Sequence, residues 1–175
     1  MMRKIITAIL ILVTLFYGCE KDESPSGPVA PATPAATTSF SAKVNGNTVQ
    51  ADTIIASLHV DTSLGIPLRT FILFAVCDTH IIAPGFFDLI NSTVVNFLSY
   101  DSVNASGGVS ILQYRSMNDT INDYMQLNSH LDISAADTIN RKISGHFSGT
   151  LVGDVSGDTI IITDGVFSNI HYEVW

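Results

Sequence analysis

From Phe40 to Trp175 no stretch of eleven or more residues shows the 3.6-residue apolar period of a helix packed by one face. Short alternating or wholly apolar runs take its place, each closed by turn-forming residues. Phe40, Ala42 and Val44 alternate with Ser41 and Lys43, and Asn45-Gly46 then supplies the positive φ angles of a tight hairpin turn. Further strand candidates span 53–60, 68–77, 86–90, 93–100, 108–115, 124–134, 141–152, 158–164 and 166–175. Leu64-Gly65, Pro84-Gly85, Ser106-Gly107-Gly108, Gly157-Asp158 and Asp164-Gly165 read as the turns between them. About ten short strands at such spacing predict an all-β domain, an antiparallel β-sandwich or a partly closed β-barrel.

Two runs differ in kind. In 147–152, FSGTLV, Phe147 and Leu151 face one way and Ser148 and Thr150 the other, the pattern of a sheet with one wet face. In 71–77, FILFAVC, both alternating sets are apolar. That strand is expected to be covered on both faces, or to line an apolar interior. Charged residues make up only 14% of the chain, which suits half-buried sheets. Eight Lys and Arg stand against 16 Asp and Glu, a net charge of −8. No basic stripe exists to displace counterions from phosphates, so no nucleic-acid partner is expected.

The N-terminus has another composition. Arg3 and Lys4 precede Ile5–Tyr17, an almost unbroken apolar run of 13 residues. A bilayer span needs about 20, so this length suits the apolar region of a signal peptide over residues 1–18. Leu15-Phe16-Tyr17-Gly18-Cys19 resembles the bacterial lipobox, in which a small residue precedes an invariant cysteine. The aromatic Phe16 and Tyr17 depart from its usual small or aliphatic residues. The resemblance implies cleavage before Cys19, lipidation of that residue, and a membrane partner through an N-terminal lipid anchor. With residues 1–18 removed, 6 basic and 16 acidic residues remain, a net charge of −10.

Glu20-Lys21-Asp22-Glu23 resembles the export tag of surface-exposed lipoproteins of Bacteroidetes-type bacteria. The expected location is the outer membrane, lipid-anchored at the cell surface, with the periplasmic face as the alternative. The stretch 24–39, SPSGPVAPATPAATTS, holds four prolines among small residues and reads as a linker. Residues 19–39 thus form a lipidated tether, and 40–175 a single all-β domain. Extended, the tether reaches roughly 60 Å, enough to hold the domain clear of lipid headgroups.

Three further stretches, Phe40-Ser41-Ala42-Lys43-Val44-Asn45-Gly46, Ile143-Ser144-Gly145-His146-Phe147 and Asp164-Gly165-Val166-Phe167-Ser168-Asn169-Ile170, resemble a family of small, uncharacterised Bacteroidetes lipoproteins. That resemblance implies a setting and a β fold, with no activity attached.

Chemistry is sparse. With Cys19 acylated, Cys77 is the one thiol left and behaves as a small hydrophobe at the end of an apolar strand. His130, His146 and His171 share polar strand faces, and no metal-ligand spacing occurs. Asp154-Val155-Ser156-Gly157-Asp158 offers oxygens but not the spacing of a calcium loop, and turn chemistry accounts for it. Neither a nucleophile elbow nor a phosphate-cradling glycine loop is present. No metal, cofactor or catalytic residue is expected.

One motif recurs. Asp-Thr-Ile stands at 52–54, 119–121, 137–139 and 158–160, with Asp101-Ser102-Val103 a variant. It resembles the acceptor of Bacteroidetes protein O-glycosylation, which makes Thr53, Ser102, Thr120, Thr138 and Thr159 candidate acceptors. The plainer account is that Asp ends a turn and Thr-Ile begins a strand. The expected function is that of a non-catalytic surface module binding a protein or glycan partner. Alternatives are a barrel sheltering a small apolar ligand between FILFAVC and FFDLI, and an extracellular hydrolase.

Overall fold

The computed structural model describes residues 37–175 apart from 64, 91, 93, 94, 96, 97, 103–107 and 119–121. Cys19 and the tether to residue 36 lie outside the described residues. The compact unit Ala36–Trp175 contains eleven strands and, among the described residues, no helix. They are β1 (Ser39–Val44), β2 (Asn47–Gln50), β3 (Thr53–Asp61), β4 (Leu68–Cys77), β5 (His80–Asp88) and β6 (Ser99–Asp101). β7 (Gly108–Ser116), β8 (Tyr124–Asp137), β9 (Lys142–Gly153), β10 (Thr159–His171) and β11 (Glu173–Val174) follow.

These strands make one curled sheet, a half-barrel, in the order β11-β3-β4-β5-β7-β8-β9-β10-β1-β2, with β6 added on β8. Every pairing is antiparallel except β11 with β3. Of the two expected architectures, the partly closed barrel is the one adopted, with a single parallel pair.

Two chain crossings stitch the seam where the ends of the sheet meet. β2 runs through Ala51 and Asp52 into β3. The Ala51 N–H donates to Phe40 O on β1 (3.1 Å), and the next N–H, of Asp52, donates to Val76 O on β4 (2.8 Å). β10 likewise runs through Tyr172 into β11. The Tyr172 N–H donates to Arg141 O beside β9 (2.9 Å), and the Trp175 N–H to Leu58 O on β3 (3.0 Å). The free edges of the sheet are the four residues of β2 at one end and, at the other, β11 with the part of β3 outside its two-residue pairing.

Asn45 (φ 48°) and Gly46 (φ 84°) form the first hairpin turn as expected. Two other glycine pairs do not turn the chain. Pro84-Gly85 lies in the middle of β5, which starts at His80 and not at residue 86. Pro84 has no N–H to give, and the β4–β5 ladder is interrupted there, while Pro84 still pairs with Leu112 on β7. Asp164-Gly165 is a bulge inside β10, so the two strands expected over 158–175 are one strand followed by β11. Asp164 takes φ 53° and its carboxylate meets Lys43 of β1 at 2.8 Å. Of the candidate 93–100, only Ser99 and Tyr100 are strand among the described residues, in β6, though Val95 is buried in the core.

The inward faces fill the interior. Phe71, Leu73 and Ala75 of β4 meet Phe86, Leu112, Leu131, Leu151 and Phe167 from the other strands. Rings pack in pairs: Phe86 on Tyr100 (4.2 Å between centroids), Phe71 on Phe86 (5.4 Å) and Phe40 on Phe147 (5.2 Å).

Candidate functional site

FILFAVC is not covered on both sides. Its inward set is buried, whereas Phe74 is 42% exposed and Ile72 and Val76 are half-buried on the outer face. The register extends that face sideways. Ile55 of β3 stands opposite Phe74, Val76 opposite Ile81 of β5, and Phe87 opposite Val109 of β7. Cross-strand apolar pairs of this kind support a sheet, yet here their outer sides stay open.

A groove runs along this face over β5. Its floor is made of small residues, Ala83 and Gly85. A side chain at Gly85 has no room, since a Cβ there stands 2.3 Å from Phe71 O. Ile72 and Phe87 rise on one side, and Ile111 and Met125 on the other, around about 430 Å³. A second depression of about 310 Å³, sharing Ala83, Gln113 and Met125, continues it past Phe74 and Ile81. At its far rim Arg115 and Asp123 face each other at 3.5 Å.

The far wall exists because β7 and β8 pair over only two rungs, Gln113 with Met125 and Tyr114 with Tyr124. Beyond them Gln126 replaces the ladder. Its Oε1 accepts from the Leu112 N–H and its Nε2 donates to Ser110 O at 3.0 Å. Ser110 Oγ then donates to Ser129 O at 2.8 Å. An amide side chain thus satisfies backbone groups that the splayed strands leave behind.

A polar cluster lies on the inner side of the same strands. Arg69 is fully buried in phase with Phe71 and Leu73, and its Nε donates to Asp88 Oδ1 at 2.9 Å. Its Nη2 pairs with Asp88 Oδ2, to which the Tyr100 hydroxyl also donates at 2.9 Å. The guanidinium rests 5.3 Å from the Phe86 ring centre. Desolvation opposes the charge on Arg69, but the bond to Asp88 and its charge lift the guanidinium above its ordinary value. Burial first, then the bond to Asp88, push the Tyr100 phenol upward. All three groups are spent on one another, which is the condition for charges to persist in a core.

Of the five candidate acceptors, Thr53, Thr138 and Thr159 are exposed at strand borders, and Thr120 lies outside the described residues. The Ser102 hydroxyl accepts the Ser129 N–H at 2.7 Å. The neighbouring Asp residues do serve turns. Asp52 Oδ2 accepts the Asp78 N–H at 3.0 Å, and Asp137 Oδ1 accepts those of Ile139 and Asn140. Cys77 is buried, and desolvation pushes its thiol up to about 11. His130 meets Asp101 at 2.6 Å on the surface. Among the described residues no three His, Cys, Asp or Glu side chains converge as a metal site requires.

The interior that FILFAVC and FFDLI are expected to wall is filled by side chains, and the groove on the outer face takes only Ile72, Phe74 and Phe87 from them. The buried cluster had one local signal, a lone arginine in phase with an apolar set. Its partner Asp88 lies 19 residues on, a pairing that only the strand register brings about. Comparison of the chain with protein-family models, with curated proteins and with solved structures yields no match.

Proposed function

We propose that this chain is a lipid-anchored envelope protein whose half-barrel binds a protein or glycan partner, without catalysis, by the outer face of β3, β4, β5 and β7. The observation that supports it is the groove over Ala83 and Gly85, apolar on floor and walls, with Gln113 and the Arg115–Asp123 pair at its rim. An apolar centre with a sparse polar rim is the anatomy of a recognition site. Anchoring rests on Cys19 and the charged residues after it, and places the domain at the outer membrane, facing the medium. Exposed Thr53, Thr138 and Thr159 are the acceptors best disposed for O-glycosylation.

The test is chemical crosslinking in intact cells with a photoreactive residue at position 74 and a matched one at position 161, on the outer face of β10. Crosslinks at 74 alone, lost on Met125→Asp, support the reading. Equal or absent crosslinking at both positions overturns the groove as the binding surface. A small apolar ligand is the second reading, since about 430 Å³ lies within the size of small-molecule sites. Native mass spectrometry of the extracted chain reads it out as a mass lost on denaturation.

A further inference from the structure

The half-barrel carries a second set of exposed apolar residues, gathered at one end. Strand registers define that end. Asp61 lies opposite Leu68, Arg69 opposite Asp88, Asp88 opposite Gly108, Asp137 opposite Lys142, and Lys142 opposite His171. The connections after β3, β5 and β8 therefore emerge together, beside the C-terminal residues that follow β10. Ile66, Leu89, Ile90, Ile139 and Trp175 project there, exposed by 59, 64, 43, 91 and 75%. Among the described residues, the loops of the opposite end carry only Met117 and Val155 as large exposed hydrophobics.

Two of these side chains, Ile139 and Trp175, sit on hydrogen-bonded backbone. Asp137 ties the Ile139 and Asn140 amides, leaving Ile139 at the tip of a fixed turn. The Trp175 N–H bonds to Leu58 O, and Trp175 O accepts the Val60 N–H at 3.4 Å. Charges at this end already have partners. Asp101 meets His130 at 2.6 Å, Glu173 meets His171 at 3.2 Å and Arg141 at 3.9 Å, and Asp61 accepts the Ser63 N–H. Asp61, Asp101, Asp132, Asp137 and Glu173 against Arg141 and Lys142 give 2 − 5 = −3 with histidines neutral, which offers anionic headgroups no attraction.

The chain also enters the domain here. Ser39, the first residue of β1, stands opposite Ser168, and Thr38 Oγ1 donates to Asn169 O at 3.2 Å. The segment carrying Cys19 thus joins the domain at the end that bears the apolar tips.

The geometry points to a lipid surface as the occupant of this end: the half-barrel rests on its own membrane through Ile66, Leu89, Ile90, Ile139 and Trp175. Tryptophan with aliphatic neighbours is the residue set of the bilayer interface, and burial of apolar tips, not charge, supplies the attraction. The inference rests on the lipid-anchor reading above. A tether of 20 residues sets the greatest height of the domain and not its resting height. Seated in this way, the domain keeps the outer-face groove beside the membrane and open to a partner.

Trp175 is the one tryptophan of the sequence and reports directly. The lipidated chain is placed in phosphatidylcholine vesicles whose acyl chains carry bromine within about 5–10 Å of the headgroup boundary. Trp175 emission is expected to fall to about half or less of that in unbrominated vesicles, with a shift to the blue. Leu89→Asp combined with Ile139→Asp is expected to restore emission while the chain still floats with the vesicles. A chain that floats with unquenched Trp175 overturns docking and leaves the anchor standing. A chain that does not float overturns the anchor and docking together. A blue shift that grows with protein concentration and ignores bromine assigns the end to a second copy instead, and also overturns docking.

Discussion

The inner and outer faces of β4 and β5 are built from the same residue types and end in different states. Inward, Arg69, Phe71, Leu73, Ala75 and Cys77 are each 0 or 1% exposed. Outward, Ile72 and Val76 are half-buried, and Phe74 and Phe87 are 42 and 40% exposed. The difference lies in what the chain does elsewhere. Two crossings at the seam curl the sheet so that inward side chains meet those of β9 and β10 across the interior. No described element crosses the outer face over the groove. Apolar content tells how much surface a strand would hide, and topology tells which side hides it.

The largest effects are expected where the inner face holds charge. Arg69→Ala strands the Asp88 carboxylate in the core and should cost about 3–5 kcal/mol, read as a lowered urea midpoint with unchanged slope. Arg69→Met with Asp88→Leu removes both charges at similar volume and should recover most of that loss. A single substitution costing under about 1 kcal/mol would mean that water reaches the pair, and the contrast between the faces would fail.

Gly85→Ala comes next. The new Cβ stands 2.3 Å from Phe71 O, a backbone atom that moves only with β4. A cost of about 1–3 kcal/mol is expected from the forced shift. Ala83→Ser, two residues away on the groove floor and 4% exposed, adds one hydroxyl to an existing side chain and should cost about 1 kcal/mol, less than Gly85→Ala. Similar costs at the two positions would show that the floor of the groove is as tightly held as the core.

The contrast between faces also explains which features the sequence makes legible. A short, largely apolar run predicts β4 at 68–77 with both ends right, and the Asn-Gly turn predicts the hairpin of β1 and β2. Pro84-Gly85 and Asp164-Gly165 carry turn chemistry, yet neighbours on both sides hold each in a strand. Tertiary pairing overrides a local preference worth only a kcal/mol or so. The groove depends on Gln126 standing in for a ladder that β7 and β8 abandon, a cross-strand event without a sequence signature. Arg69 was visible as a charge inside an apolar run, while its pairing with Asp88 depends on register.

Titration should separate the faces as well. Cys77, Tyr100, Tyr114 and Tyr172 all point inward, and burial raises each. Their protons are held in the folded chain after the unfolded chain has lost them. The stabilisation is therefore complete below the unfolded values and is lost as pH rises through the folded ones. For Cys77 that window opens at the ordinary 9.0 and closes at about 11. The urea midpoint should fall across it, and Cys77→Val should make the fall shallower. A midpoint flat with pH would show these groups to be as accessible as surface ones.

The smallest effect on stability should accompany the largest effect on binding. Phe74→Ser and Ile55→Thr remove a facing pair from the outer side of β3 and β4, where Ile55 is 63% exposed. Ile55→Thr loses little buried area and should change unfolding free energy by no more than about 0.5 kcal/mol, while Phe74→Ser, at a ring more than half covered, should cost about 1 kcal/mol. Crosslinking from a photoreactive residue at position 87 should nevertheless fall sharply with Phe74→Ser, because the binding surface loses an aromatic anchor. A large stability loss with no change in crosslinking would reverse the assignment. The outer residues would then belong to the fold, and the groove over β5 would be a by-product of the small residues that let β4 approach. A small midpoint shift with lost crosslinking would separate the faces by role as they are already separated by burial: one holds the half-barrel together, and the other is kept apolar for a partner.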